Sequence, residues 1–203
     1  MANMPSSSVI TVGEGRGFVV EGPSQLWRYV ISAAHCLPEL PSADGGSFQS
    51  KRTYFDLLGK LGETPSIACE CLFVDPVSGL TVLAPPEDEV LPDQARAYGA
   101  LVDAATPFPI ADITETAEAS LLSLDGEWFE CKAERIGYAL WLSDAAKGIE
   151  GGMMGSPILV NNRAVGVVST LSTSETYTEA KAPALTECLP RWLVRELLTA
   201  MRP

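Results

Sequence analysis

The sequence predicts an all-β protein closed by a C-terminal helix. Three observations carry this reading. Short runs rich in Val, Ile, Leu, Phe and Tyr recur along the chain. Gly, Pro, Asn and Asp punctuate them, and only the last residues read at helical spacing. The chain has 203 residues, 46% of them hydrophobic, enough for a sizeable core in one domain or two small ones.

The first set of strand-like runs is VITV (9–12), GFVV (17–20), LWRYVIS (26–32), TYFDLLGKL (53–61), IACECLFV (67–74) and LTVLA (80–84). A looser region over 85–117 holds Pro85, Pro86, Pro92, Pro107 and Pro109, and reads as a connection between two halves. The second set is ASLLSL (119–124), WFECKAERIGYALWL (128–142), SPILVN (156–161) and AVGVVSTL (164–171), with turns at 125–127 (DGE) and 161–162 (NN). Two such sets suggest two small antiparallel barrels or a sandwich. At the end, TECLPRWLVRELLTAM places Leu189, Trp192, Leu193, Leu197 and Leu198 on roughly one helical face, with Pro190 in the first turn.

Composition excludes several functions. The formal net charge is −12, and an acidic surface repels phosphate backbones, so nucleic acid is not an expected partner. No signal peptide or long apolar segment appears, which points away from a membrane and toward a cytoplasmic location. Cys36, Cys69, Cys71, Cys131 and Cys188 are odd in number and irregular in spacing, so reduced thiols are expected. Cys69 and Cys71 share one strand face, but with a single histidine in the chain they read as buried small hydrophobes, and no metal site is expected. Neither a phosphate loop nor a dinucleotide fingerprint is present, so no cofactor is expected.

The stretch YVISAAHCL (29–37), preceded by GRGFVV (15–20), resembles the histidine motif of trypsin-like serine peptidases. VDPVSGLTVLAPP (74–86) resembles that family's aspartate segment. GGMMGSPIL (151–159) resembles its nucleophile loop, and NRAVGVVST (162–170) resembles the strand that lines its substrate channel. The order and spacing fit from about Gly15 to Thr170. The resemblance implies a chymotrypsin-like, all-β fold of two antiparallel six-stranded β-barrels with a C-terminal α-helix. Residues 8–95 would form the N-terminal barrel, 115–185 the C-terminal barrel and 186–201 the helix. Together they would make one trypsin-like peptidase domain over 1–203, similar to intracellular bacterial members.

The triad chemistry shows what is missing. A serine hydroxyl needs a histidine to take its proton, and the histidine needs a carboxylate to fix its tautomer. His35 holds the base position. Met154 fills the nucleophile slot, and its thioether has no proton to give. The aspartate slot falls at Gly79, with Asp75 four residues upstream. Losing the nucleophile alone costs about a million-fold in turnover. Ser156, two residues past the slot, is expected to point away from the histidine.

The remaining expectations concern binding. Gly152 and Gly155 give the loop backbone freedom, so the N–H groups of Gly152 and Met154 are expected to be able to hold a carbonyl or carboxylate. Ser169, Thr170 and Leu171 line the channel, with Leu171 narrowing it. The resulting expectation is a catalytically inactive homologue that binds a protein or peptide ligand, more readily a basic one, at the inter-barrel cleft. Two alternatives stay open. One is a serine endopeptidase, either altered at position 154 or working through His35, Asp75 and Ser156. The other is a module of a multi-component defence or signalling assembly.

Overall fold

The computed structural model describes residues 6–21, 28–40, 52–169 and 177–199. Strands β1 (Val9–Val12), β2 (Gly15–Glu21), β3 (Arg28–Ala33), β4 (Thr53–Lys60), β5 (Ile67–Asp75) and β6 (Leu80–Ala84) form a barrel in the order β1-β2-β3-β6-β5-β4. It closes where Thr11 pairs with Gly59 and Val12 with Leu58. All residues of β2 except Glu21 are buried. Its inward side chains fill the barrel, while Phe18 meets Phe108 of the inter-barrel connection edge-on at 6.3 Å. Phe108 meets Trp128 in the same way, so one aromatic chain ties the first barrel to the second.

The second sheet holds β7 (Ala117–Leu122), β8 (Trp128–Ile136), β9 (Ala139–Ser143), β10 (Pro157–Val160), β11 (Arg163–Val167) and β12 (Ala180–Pro183). They run antiparallel in the order β11-β10-β7-β8-β9-β12, and a bridge between Gly166 and Ala184 joins the two ends. The predicted turn at 161–162 is present. Asn161 and Asn162 have φ of 51° and 62°, the pair of left-handed residues that a tight two-residue hairpin requires. The long apolar run 128–142 is two strands rather than one, divided at Gly137 with φ 63°. Strand β12 carries almost no propensity signal. Its sequence AKAP is held by pairing with β9, which buries Ala180 and Ala182. Two six-stranded antiparallel barrels with few helices are the fold class the sequence predicts.

Two helical expectations are corrected. The proline-rich connection contains a 12-residue helix, α1 (Pro92–Asp103). Pro92 lies in the first turn, where a missing N–H costs nothing, so a residue read as a breaker is a starter. Tyr98, Leu101 and Val102 give α1 a buried face. Arg28 donates to the Val102 carbonyl at 2.8 Å and anchors the helix's last turn. The C-terminal helix is interrupted: α2 (Leu185–Cys188) stops and α3 (Arg191–Thr199) starts again. Leu189 precedes Pro190 and is extended (φ −73°, ψ 149°), the conformation a following proline imposes. Leu189, Leu193 and Leu197 are buried against the first barrel, whereas Trp192 and Leu198 are 47% and 40% exposed. The buried stripe is therefore narrower than the predicted face.

The Tyr98 hydroxyl lies 3.0 Å from the Arg28 carbonyl and 3.2 Å from that of Leu83. Tyr98→Phe removes this hydrogen bond and should cost about 0.5–1.5 kcal/mol in a urea melt. No loss would mean that α1 docks by apolar contact alone. All five thiols are free, and four are buried. Burial pushes the Cys131 thiol up to about 12, and thiolate is the reactive form. At pH 8 the buried cysteines should react with iodoacetamide far more slowly in the native chain than in urea, by about a hundred-fold or more.

Candidate functional site

His35 stands in a single 3-10 turn (Ala34–Cys36) at the end of β3. Its neighbours Ala34 and Cys36 are buried, while His35 itself is exposed. Among the described residues its side chain makes no hydrogen bond or ion pair.

Gly79 ends the four-residue turn between β5 and β6 with φ of 77°. Its N–H donates to the Asp75 carbonyl at 2.9 Å, and its carbonyl accepts from Ala34 N–H at 2.8 Å. Gly79 thus touches the turn of His35 through its backbone. A Cβ at position 79 would lie 3.3 Å from the Ser169 Cβ and 3.5 Å from its hydroxyl. Ser169 is 2% exposed, and its hydroxyl has no hydrogen-bond partner among the described residues. Asp75 turns elsewhere: its Oδ1 accepts from Val77 N–H at 2.9 Å and closes its own turn.

The loop that resembles the nucleophile elbow is a 3-10 turn (Gly151–Met153) capped by Met154. The Met154 N–H donates back to the Gly151 carbonyl at 3.1 Å, and the Gly155 N–H donates to Val168 at 2.7 Å. The pair of N–H groups expected to hold a carbonyl therefore has Met154 already engaged, while Gly152 is exposed. The half-buried Met154 side chain packs against the first barrel's core. Ser156 is fully buried and its hydroxyl has no hydrogen-bond partner among the described residues. Thr170 and Leu171 lie outside the described residues.

What holds this loop beside His35 is a set of contacts the motifs did not announce. Met154's carbonyl accepts from Arg16 N–H at 2.7 Å, and the Cys36 thiol lies 3.6 Å from the same oxygen. Burial pushes that thiol's pKa up, so it stays a neutral donor. The Arg16 carbonyl accepts from the Ser32 hydroxyl at 2.6 Å. The Arg16 guanidinium crosses to the second barrel and donates to Leu122 and Ser123 carbonyls at 2.7 and 3.0 Å. The legible signal was a cation inside GRGFVV, a run otherwise suited to burial.

On the Gly152 flank lies an open groove of about 600 Å³, with Glu14, Arg16 and Glu63 on one side and Leu124 and Asp125 on the other. The Ser123 hydroxyl and the Lys147 ammonium hold the Asp125 carboxyl down at about 2. Among the described residues no group of His, Cys, Asp and Glu could hold a metal ion, and no helix is long and apolar enough to cross a membrane.

Gly155 and Gly126 share nearly the same backbone, with φ of 86° and 84°, but not the same surroundings. A Cβ on Gly155 would fall 1.6 Å from the Arg16 carbonyl oxygen, and one on Gly126 would meet nothing within 4 Å. Gly126→Ala should cost about 1–2 kcal/mol, and Gly155→Ala more than about 3 kcal/mol in the same thermal melt. Equal losses would show that Arg16 and the loop are not locked together.

No protein-family model matches the sequence, and no curated protein matches it. Solved structures do. A human astrovirus serine protease aligns at 12% identity over 93% of this chain and 96% of its own, with a TM-score of 0.57. An inactive serine-to-alanine mutant of Rv3671c from Mycobacterium tuberculosis aligns at 16% identity over 100% of this chain and 94% of its own, with a TM-score of 0.54. An inactivated protease paralogue of the scabies mite aligns at 11% identity over 90% of each chain, with a TM-score of 0.50. At these identities the likeness is one of fold: the chain folds as the chymotrypsin-like double β-barrel of serine proteases.

Proposed function

We propose that this chain is a serine-protease fold without peptidase activity that acts by binding a basic protein or peptide segment at the inter-barrel cleft. The observation that carries this reading is Met154, a thioether in the position where acyl transfer needs a hydroxyl. Two features support it. The slot at Gly79 supplies no carboxylate, so nothing fixes the tautomer of His35 or stabilises its imidazolium. The Met154 N–H is engaged by the Gly151 carbonyl, so the loop offers no open pair of donors to a developing oxyanion. The groove beside Gly152 places Glu14, Glu63 and Asp125 around one buried guanidinium, and the chain's net charge of −12 adds to that field. Both favour a cationic ligand.

Incubation of the native chain with a broad peptide library, read by mass spectrometry, tests this. No cleavage above the buffer rate is expected, with His35→Ala indistinguishable from native. Turnover by the native chain that His35→Ala abolishes would overturn the reading.

A further inference from the structure

The turn that carries Gly79 also walls a second recess between the barrels, of about 460 Å³. Asp75 and Ser78 line it from the first barrel, Ser169 and Tyr138 from the second, and Glu187 from α2. Lys181 of β12 also lines it and has a partner of its own. Glu187 is bound by Arg135.

Three features of this recess point to one ligand chemistry. The Asp75 carboxylate uses one oxygen to hold Val77 N–H and, among the described residues, makes no ion pair. The Ser169 hydroxyl, in a residue 98% buried, has no hydrogen-bond partner among the described residues; a desolvated hydroxyl in that state gains from any polar atom brought to it. Tyr138 is 75% exposed, an aromatic ring standing open at the recess that Asp75 lines. A flat cation answers all three. A guanidinium is planar, carries five donors, pairs with a carboxylate and stacks on an aromatic face, whereas an ammonium is a compact point charge.

We infer that this recess binds an arginine side chain of a partner protein or peptide, its guanidinium paired with Asp75, stacked on Tyr138 and donating to the Ser169 hydroxyl. The inference goes beyond the proposed function and stands whether or not the chain cleaves peptides.

The test is a titration of the full chain with N-acetyl-arginine amide, followed through backbone amide NMR shifts. Saturable shifts are expected at Val77, Tyr138 and Ser169. Asp75→Asn keeps an oxygen for the Val77 N–H and removes the charge, and it should weaken binding about ten-fold or more. Tyr138→Leu, at an exposed position, should weaken it several-fold; this variant decides the matter if Asp75→Asn does not fold. Equal binding of neutral N-acetyl-norleucine amide, or unchanged affinity in these variants, would overturn the site. Equal binding of N-acetyl-lysine amide would overturn the arginine assignment.

Discussion

Arg16 enters the barrel interface from β2 with only 6% of its surface exposed. Its guanidinium donates to the carbonyls of Leu122, the last residue of β7, and of Ser123 just beyond it, while its own backbone holds the Met154 loop on one side and the Ser32 hydroxyl on the other. Desolvation lowers its pKa, and the nearby Asp125 charge works against that. A buried cation of this kind is tolerable only when its donors are answered, and here carbonyls of the second barrel answer them. Barrel register, loop position and the approach of Gly155 to the Arg16 carbonyl therefore form one constraint. Moving any of them strands a buried polar group.

The residues around His35 are tied to that frame. Gly79 is the left-handed residue that closes a four-residue turn, so a carboxylate cannot be returned there without a side chain in strained backbone. The Ser169 hydroxyl that such a side chain would meet is left without a partner. On the facing loop the 3-10 turn draws the Met154 N–H inward. Position 154 carries no hydroxyl, position 79 no carboxylate, and the Met154 N–H is engaged, while Cys36 and Arg16 hold the loop in place.

Much of this was legible in the sequence, for reasons that particular residues make plain. The first barrel announced itself because its strands are apolar and bounded by turn residues, and Asn161–Asn162 marked a hairpin by their tolerance of positive φ. Strand β12 was silent because two alanines, a lysine and a proline carry no intrinsic preference; its pairing with β9 makes it a strand. Helix α1 was hidden by the prolines around it, since the residue type alone does not say whether Pro92 starts or stops a helix. The terminal stripe was read too wide because Pro190 was placed inside one helix instead of between two. In the candidate site, His35, Met154 and Gly79 were singled out by motif resemblance. The Arg16 frame was not: the lone cation in GRGFVV was its one hint, and the backbone carbonyls that clamp it have no sequence signature.

A hydroxyl restored at position 154 is not expected to restore acyl transfer, because Gly79 supplies no carboxylate and the residue 154 N–H is engaged by the Gly151 carbonyl. Fluorophosphonate labelling of the Met154→Ser variant, read by intact mass, decides this. No adduct beyond the rate of an ordinary exposed serine is expected. Rapid, stoichiometric labelling at position 154 that depends on His35 would contradict it. That result would show a site poised for catalysis, lacking only its nucleophile.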